Sequence, residues 1–297
     1  EKVVSILIHN GSIEETKQLI GSSEDRIIIQ IHADELLDNN RGSLFVRTKL
    51  VESIGAIDLF GMHSPITSDK YFFGRSELVQ SLVNRSTVNR ENSGLFGLRK
   101  TGKTSVLRAI QRRLDSRTIL TEYIECSNPG IHSARWWQVL ENIAERCVAT
   151  LQRDFKKLAR IRGGYSKANA GTRFSSDMQE IIQIGSLDQI IIMLDEVEFI
   201  THGLSGALGE HWDNDFVPFW QSIRSTHQET MGQLIFIVAG VNPTCVEVSH
   251  FNGIQNPIFQ LTSPHYLLPF TSSQIREMVR TIGRYTGIKF DEDVYQY

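Results

Sequence analysis

The run Gly97-Leu98-Arg99-Lys100-Thr101-Gly102-Lys103-Thr104 constrains this chain more than any other stretch. It fits the pattern G-x-x-x-x-G-K-[ST] without a gap. Glycines at its two ends let the backbone turn tightly enough for successive N–H groups to converge, and a helix opening at Lys103 adds its positive end. Such a cradle takes the oxygens of a polyphosphate. Lys103 then reaches the β- and γ-phosphates, and the Thr104 hydroxyl ligates Mg²⁺. Gly97, Lys100, Thr101, Gly102, Lys103, Thr104 and Ser105 are therefore the expected nucleotide contacts. The flanks agree: Gly94 to Phe96 reads as a strand end, and Lys103 to Leu114 as a helix with Val106, Leu107, Ile110 and Leu114 on one apolar face.

A second signal is Ile190-Ile191-Ile192-Met193-Leu194-Asp195-Glu196, a buried strand closing on an acidic pair about 90 residues beyond the lysine. There Asp195 would hold Mg²⁺, usually through water, and Glu196 would polarise an attacking water, which argues for hydrolysis over mere binding. Glu198 reads as a surface acid. A third is Leu234 to Val241, a buried strand running into Asn242-Pro243 at the carboxyl edge where open α/β sheets bind ligands. Asn242 would orient the lytic water or sense the γ-phosphate; a turn asparagine before proline is the plain alternative. No Asn-Lys-x-Asp guanine-reading pattern follows the later strands, which favours ATP and ADP over guanine nucleotides.

Between these landmarks the chain alternates apolar strands with helices. Thr118 to Cys126 is strand-like, Ser133 to about Ala159 a long helix with Trp137, Leu140, Ala144, Cys147, Val148, Leu151, Phe155 and Leu158 at helical spacing, and Asp177 to Ile184 another. A helix near Phe216 to Thr226 separates the last two strands. Continuous apolar strands alternating with helices predict a parallel sheet covered on both faces, the α/β core of a P-loop NTPase. Ahead of it Val3 to His9 and Arg26 to Ile31 frame a small β-α-β opening whose acids Asp34, Glu35, Asp38 and Asp58 need only be solvated. The expected domains are 1–68, an N-terminal α/β module of unassigned role; 69–265, the nucleotide core; and 266–297, the start of a helical lid. In that last part Thr271 and Gln274 form a capping box for an amphipathic helix bearing Ile275, Met278, Val279 and Ile282.

Composition narrows the partners. The 31 Lys and Arg against 34 Asp and Glu leave a net charge of −3, which does not indicate nucleic acid as a main partner. The basic stretch with Arg160, Arg162, Lys167 and Arg173 is one place nucleic acid could meet the chain, although a few charges on a loop usually only solvate it. No apolar run approaches the roughly 20 residues that span a bilayer, so no membrane role is expected. Three scattered cysteines, Cys126, Cys147 and Cys245, fit neither a disulfide framework nor a zinc spacing and suit the cytoplasm. Trp136, Trp137, Trp212 and Trp220 read as packing residues. The absence of an initial Met and the stop at Tyr297 within a helical region suggest a piece of a larger polypeptide.

In this order the landmarks resemble the STAND class of P-loop NTPases, a branch of the AAA+-like ATPases. Tyr71-Phe72-Phe73-Gly74-Arg75-Ser76-Glu77-Leu78 is similar to the family's Phe-x-Gly-Arg-Glu entry motif, with Ser76 inserted before the glutamate. Phe219-Trp220 through Ile223-Arg224 is similar to the helix found there between the acidic pair and the next strand. The resemblance implies that Phe73, Gly74 and Arg75 lie near the adenine. It also places Arg276 to Arg284 in the first lid helix; the four-apart spacing of Arg276, Arg280 and Arg284 makes a basic stripe that is either a solvated face or the source of one γ-phosphate contact, with Arg280 the named candidate and Arg224 a further one. It implies a slow ATPase switch that opens into a homo-oligomer and drives effector and sensor domains outside this stretch, in many prokaryotic members for anti-phage defence. An initiator-like AAA+ ATPase that loads onto DNA and a scaffold that holds nucleotide without turnover are the alternatives.

Overall fold

In the computed structural model, residues 4–12, 14–16, 27–37, 44–55, 60–61, 64–114, 116–286 and 289–295 are described. Asp38 and Asp58, half of the helix expected over 11–20, and Arg26 lie outside them. The chain divides into two compact units, Ser76–Pro269 and the pair of segments Glu1–Arg75 and Phe270–Tyr297.

The N-terminal segment opens with β1 (Val4–His9) and β2 (Ile27–His32), parallel and in register from Val4 opposite Ile27 to His9 opposite His32. Helices α1 (Ala33–Leu37) and α2 (Phe45–Gly55) follow. Ile29 and Ile31 are buried, as strand alternation requires, while Asp34 is exposed.

The larger unit starts with α3 (Ser76–Thr87) and β3 (Asn92–Phe96), which leads into the glycine-bounded turn and α4 (Lys103–Arg113). Val106, Leu107, Ile110 and Leu114 are all at most 2% exposed, so the apolar face read from the sequence is the packed one. Next come β4 (Ile119–Glu125), the short α5 (Pro129–His132) and α6 (Trp136–Phe155). The long helix expected over 133–159 is thus shorter. Lys156 adopts φ 58° and ends it, and Leu158 lies beyond, 73% exposed; Val139 and Ile143 complete the buried stripe instead.

Helix α7 (Ala170–Gly185) begins seven residues earlier than the sequence suggests. The basic stretch before it is pinned: Tyr165 is buried and donates to Asp177 at 2.7 Å, and the Arg173 guanidinium donates to the Gly163 carbonyl. Then follow β5 (Gln189–Asp195), α8 (Trp212–Glu229), β6 (Leu234–Gly240) and α9 (Thr244–Glu247). A small hairpin joins β7 (His250–Phe251) to β8 (Ile254–Gln255), and β9 (Thr262–Tyr266) closes the unit.

The five-stranded sheet has the order β4-β5-β6-β3-β9, every pairing parallel. Strands β5 and β6 are buried along their whole length, the signature of inner strands covered on both faces. Around them Trp212, Trp220, Phe174, Phe216 and Phe219 are at 0% exposure, so these two tryptophans are core residues. All three cysteines are free and buried. Register does the work of aiming the site. Glu125 lies opposite Asp195, Leu194 opposite Val238, and Phe96 opposite both Gly240 and Tyr266, so the carboxyl ends of all five strands finish at one edge.

Helix α10 (Ser272–Thr286) belongs to the smaller unit. The capping box forms, with the Thr271 N–H donating to Gln274 Oε1 at 2.9 Å and the Gln274 N–H to Thr271 Oγ1 at 3.3 Å. Ile282 packs with Tyr71, Ile66, Phe73, Met278 and Tyr285. Among the described residues no helix is long and apolar enough to cross a membrane.

Candidate functional site

The turn from β3 into α4 is shaped by its two end glycines for different reasons. Gly102 sits at φ 95°, a conformation few side-chain-bearing residues adopt, although a Cβ there would meet nothing within 4 Å. At Gly97 the constraint is space: a Cβ would stand 3.1 Å from Leu267 Cβ and 3.2 Å from the Leu267 carbonyl oxygen. The Gly97 N–H donates to Gly240 O at 3.3 Å, which fastens the start of the turn to the end of β6. Thr101 Oγ1 donates to Leu98 O at 2.8 Å. Gly102 caps α4 without any side-chain bond, and a helix N-terminus opened by glycine in this way is the arrangement that receives anions.

Lys103 is 8% exposed, and its ammonium donates to Gly97 O and Leu98 O, both at 2.9 Å. Two of its three protons thus brace the turn, and the third is uncommitted among the described residues. Burial holds the amine below its ordinary pKa, with the charges of Asp195, Glu198 and Glu196 pulling it back. Ser105 is buried beside it on α4.

Thr104 Oγ1 donates to Asp195 Oδ2 at 2.6 Å, joining the helix after the turn to the end of β5. Asp195 is 2% exposed and fully engaged: Oδ2 also accepts Tyr123 Oη at 2.9 Å, and Oδ1 accepts the Glu196 N–H at 3.0 Å. Burial and the Asp195 charge push the Tyr123 phenol up, so it stays a donor. The Thr104 hydroxyl spends its proton on Asp195 and keeps its lone pairs. Among the described residues no cluster of three His, Cys, Asp or Glu could hold a metal by itself. A threonine oxygen and one carboxylate suit Mg²⁺, which takes few protein ligands and draws the rest from phosphates and water. Thr104 and Asp195 would hold it, and it would neutralise charge on the transferring phosphoryl group.

Glu196 adopts φ 54°, ψ 45°, a left-handed conformation uncommon for a residue with a side chain. Its carboxylate makes no hydrogen bond among the described residues, which leaves it available to a water. Glu198, expected at the surface, is instead half-buried. The one-turn helix Val197–Ile200 folds it back beneath β6, where its two oxygens accept the Val241 N–H at 3.4 and 3.2 Å. Burial pushes its carboxyl up. Glu198 and Tyr123 are the site residues that sequence reasoning missed; only the D-E-x-E spacing hinted at the first.

Asn242 serves its turn through Oδ1, which accepts the Thr244 N–H at 2.9 Å, while Nδ2 is uncommitted among the described residues. Arg224 donates to Pro257 O at 3.3 Å. The remaining expected residues lie in the smaller unit. Gly74 O accepts Gln274 Nε2 at 2.8 Å, the Arg75 guanidinium lies 4.5 Å from the Phe270 ring centre, and Phe73 packs on the Tyr71–Ile282 cluster. Arg276 and Arg280 both pair with Glu292, at 2.7 and 2.5 Å, and both lie against the Tyr295 ring.

A glycine-bounded turn, a buried lysine and an acid at the end of an inner strand of the same sheet are the parts of a phosphate-binding edge. A family model described as AAA domain matches residues 89–241, from just before β3 to just after β6. The chain belongs to this AAA family. Its central parallel sheet is that of a P-loop NTPase of AAA+ type. In fold, this AAA chain is similar to a Walker-type ATPase of Pyrococcus abyssi, with a TM-score of 0.54 and 16% identity over 80% of this chain and 65% of that one. It is also similar to the Orc1 protein of Aeropyrum pernix, solved in complex with DNA (TM-score 0.48, 18% identity, 76% of this chain and 52% of that one). A third is domain III of the replication initiation protein DnaA of Thermotoga maritima (TM-score 0.42, 14% identity, 78% of this chain and 80% of that one). The AAA chain spans about half the length of the Aeropyrum protein. No curated protein matches its sequence.

Proposed function

We propose that this AAA chain is the nucleotide-controlled module of a STAND-type switch, which binds ATP with Mg²⁺, hydrolyses it slowly and changes its assembly with the nucleotide it holds. One observation carries the nucleotide part: the 2.6 Å bond from Thr104 to Asp195, 91 residues apart, sets the helix after the glycine turn against the acid at the end of β5. On that frame the turn's N–H groups and Lys103 bind the phosphates, Thr104 and Asp195 hold Mg²⁺, and Glu196 activates water. Asn242 orients the water or senses the γ-phosphate through Nδ2. Phe73, Gly74 and Arg75 serve the adenine on the strength of the entry motif, and Arg280 is the candidate for a phosphate oxygen on the strength of the basic stripe along its helix. The STAND assignment, the homo-oligomer and the attached effector and sensor domains rest on that same motif and the loop's sequence.

The test couples turnover to assembly. Wild-type protein and Glu196→Gln are compared for phosphate release and for mass by light scattering in ADP and in ATP. The reading expects slow release by the wild type, stalled release by the variant, and a larger species with ATP. An unchanged mass in every nucleotide, with steeply salt-dependent binding to duplex DNA, would replace the switch with an initiator-like ATPase.

A further inference from the structure

We infer that Tyr123 is a positioning residue of the metal centre, its hydroxyl setting the orientation of the Asp195 carboxylate while Arg108 holds its ring. The inference rests on the reading that Thr104 and Asp195 serve Mg²⁺, and it assigns a role to a strand that the motifs do not touch.

Tyr123 lies on β4, an edge strand whose faces differ. Leu120, Glu122 and Ile124 are buried, and Glu122 is tied to Arg146 and Thr150 on α6. Thr121 and Tyr123 take the other face, against α4. One stripe of that helix meets them: Gln111 Nε2 donates to Thr121 Oγ1 at 3.4 Å, and the Arg108 guanidinium lies 3.7 Å from the Tyr123 ring centre. Thr104 is one turn before Arg108 on the same stripe. The phenol is therefore held between the Arg108 cation and the Asp195 carboxylate, and its ring cannot swing without losing both.

At Asp195 the geometry is that of a carboxylate held by three donors. Thr104 and Tyr123 bond to Oδ2 and the Glu196 N–H to Oδ1. The Thr104 contact belongs to the residue that the metal recruits, and the Glu196 N–H belongs to the turn that carries the catalytic base. Tyr123 alone comes from a strand with no other duty at the site. Its bond keeps the carboxylate plane fixed while the other two groups work. Partners that orient metal-binding carboxylates typically account for 10- to 100-fold in metal affinity or activity.

The experiment uses Tyr123→Phe, which keeps the ring and its packing and removes only the hydroxyl. Mn²⁺ replaces Mg²⁺ and its binding to the ATP-loaded 297-residue chain is followed by electron paramagnetic resonance, beside wild type and Thr104→Ala. The variant is expected to bind Mn²⁺ on the order of 10-fold more weakly. Its affinity for ATP in chelator should stay within about twofold of wild type, because no phosphate contact is lost. Arg108→Met should shift Mn²⁺ binding the same way by about threefold, the weight of a partly exposed cation–ring contact. Wild-type Mn²⁺ affinity in Tyr123→Phe would overturn the inference while leaving the metal site standing. Failure of the wild type itself to bind Mn²⁺ with ATP, or of Thr104→Ala to weaken it, would overturn the underlying reading.

Discussion

Glu198 accepts the backbone N–H of Val241, at 3.2 Å through its nearer oxygen, so the turn beyond the acidic strand is tied to the strand that carries Asn242. A Cβ on Gly240 would stand 2.4 Å from that same oxygen, and only glycine lets the carboxylate lie there. The two candidate catalytic arms, Glu196 and Asn242, are thereby linked through one half-buried acid. Gly240→Ala should push the carboxylate off Val241, costing about 1 kcal/mol of stability for the lost hydrogen bond, readable by urea denaturation. It should slow phosphate release more than it weakens nucleotide binding.

The same acid makes a pH prediction. Burial holds the Glu198 carboxyl above the ordinary glutamate value, so between about pH 4.5 and its folded pKa the native state binds more protons than the unfolded one. Its contribution to stability is full below the ordinary value and is lost as pH rises through the folded one. Glu198→Gln removes this titration and keeps an acceptor for Val241. Relative to wild type, the variant should gain thermal stability as pH rises from 4 to 7.5. A difference in melting temperature that is flat across that range would contradict the assignment.

Lys103 does double duty, bracing the turn through Gly97 O and Leu98 O and supplying charge to phosphate. Lys103→Ala should weaken ATP binding on the order of 100-fold, because charge-assisted bonds to phosphate are lost together with the brace. Isothermal titration checks it. Undiminished affinity would place the nucleotide elsewhere.

A control lies away from the site. Arg135 grips Asp215 through two bonds of 2.7 and 2.8 Å, and the Trp136 N–H adds a third at 3.1 Å. Asp215 is buried, whereas Arg135 is more than a third exposed, so solvent screens part of the pair. Arg135→Ala should cost about 2 kcal/mol in denaturant unfolding while leaving ATP affinity unchanged.

Much of the core is legible from one chain because inner parallel strands are written in unbroken apolar runs. Ile190 to Leu194 and Leu234 to Ala239 announce themselves, and the glycine turn names its own chemistry. The edge strand β9 does not. Its Thr262-Ser263-Pro264-His265-Tyr266 is polar and contains a proline, which an edge strand tolerates because one side of its backbone needs no partner. Asn252 and Gly253 carry the positive φ values of a two-residue hairpin turn, but strands of two residues leave no periodicity to find. Tyr123 and Glu198 were hidden for another reason. Their importance lies in partners 72 and 43 residues away, and only strand register brings those together. Likewise, nothing in the run from Phe73 to Arg75 foretells that Gly74 bonds to Gln274, 200 residues on.

The central claim is that Thr104, Asp195, Lys103 and Glu196 form one hydrolytic nucleotide site. Single-turnover phosphate release, measured with ATP affinity in the same preparations of wild type and Glu196→Gln, tests it most directly. The account predicts equal affinity, with release in the variant slower by about 100-fold or more, as expected for loss of a positioned general base. Equal release rates in the two proteins, or a wild type that binds no ATP, would contradict it.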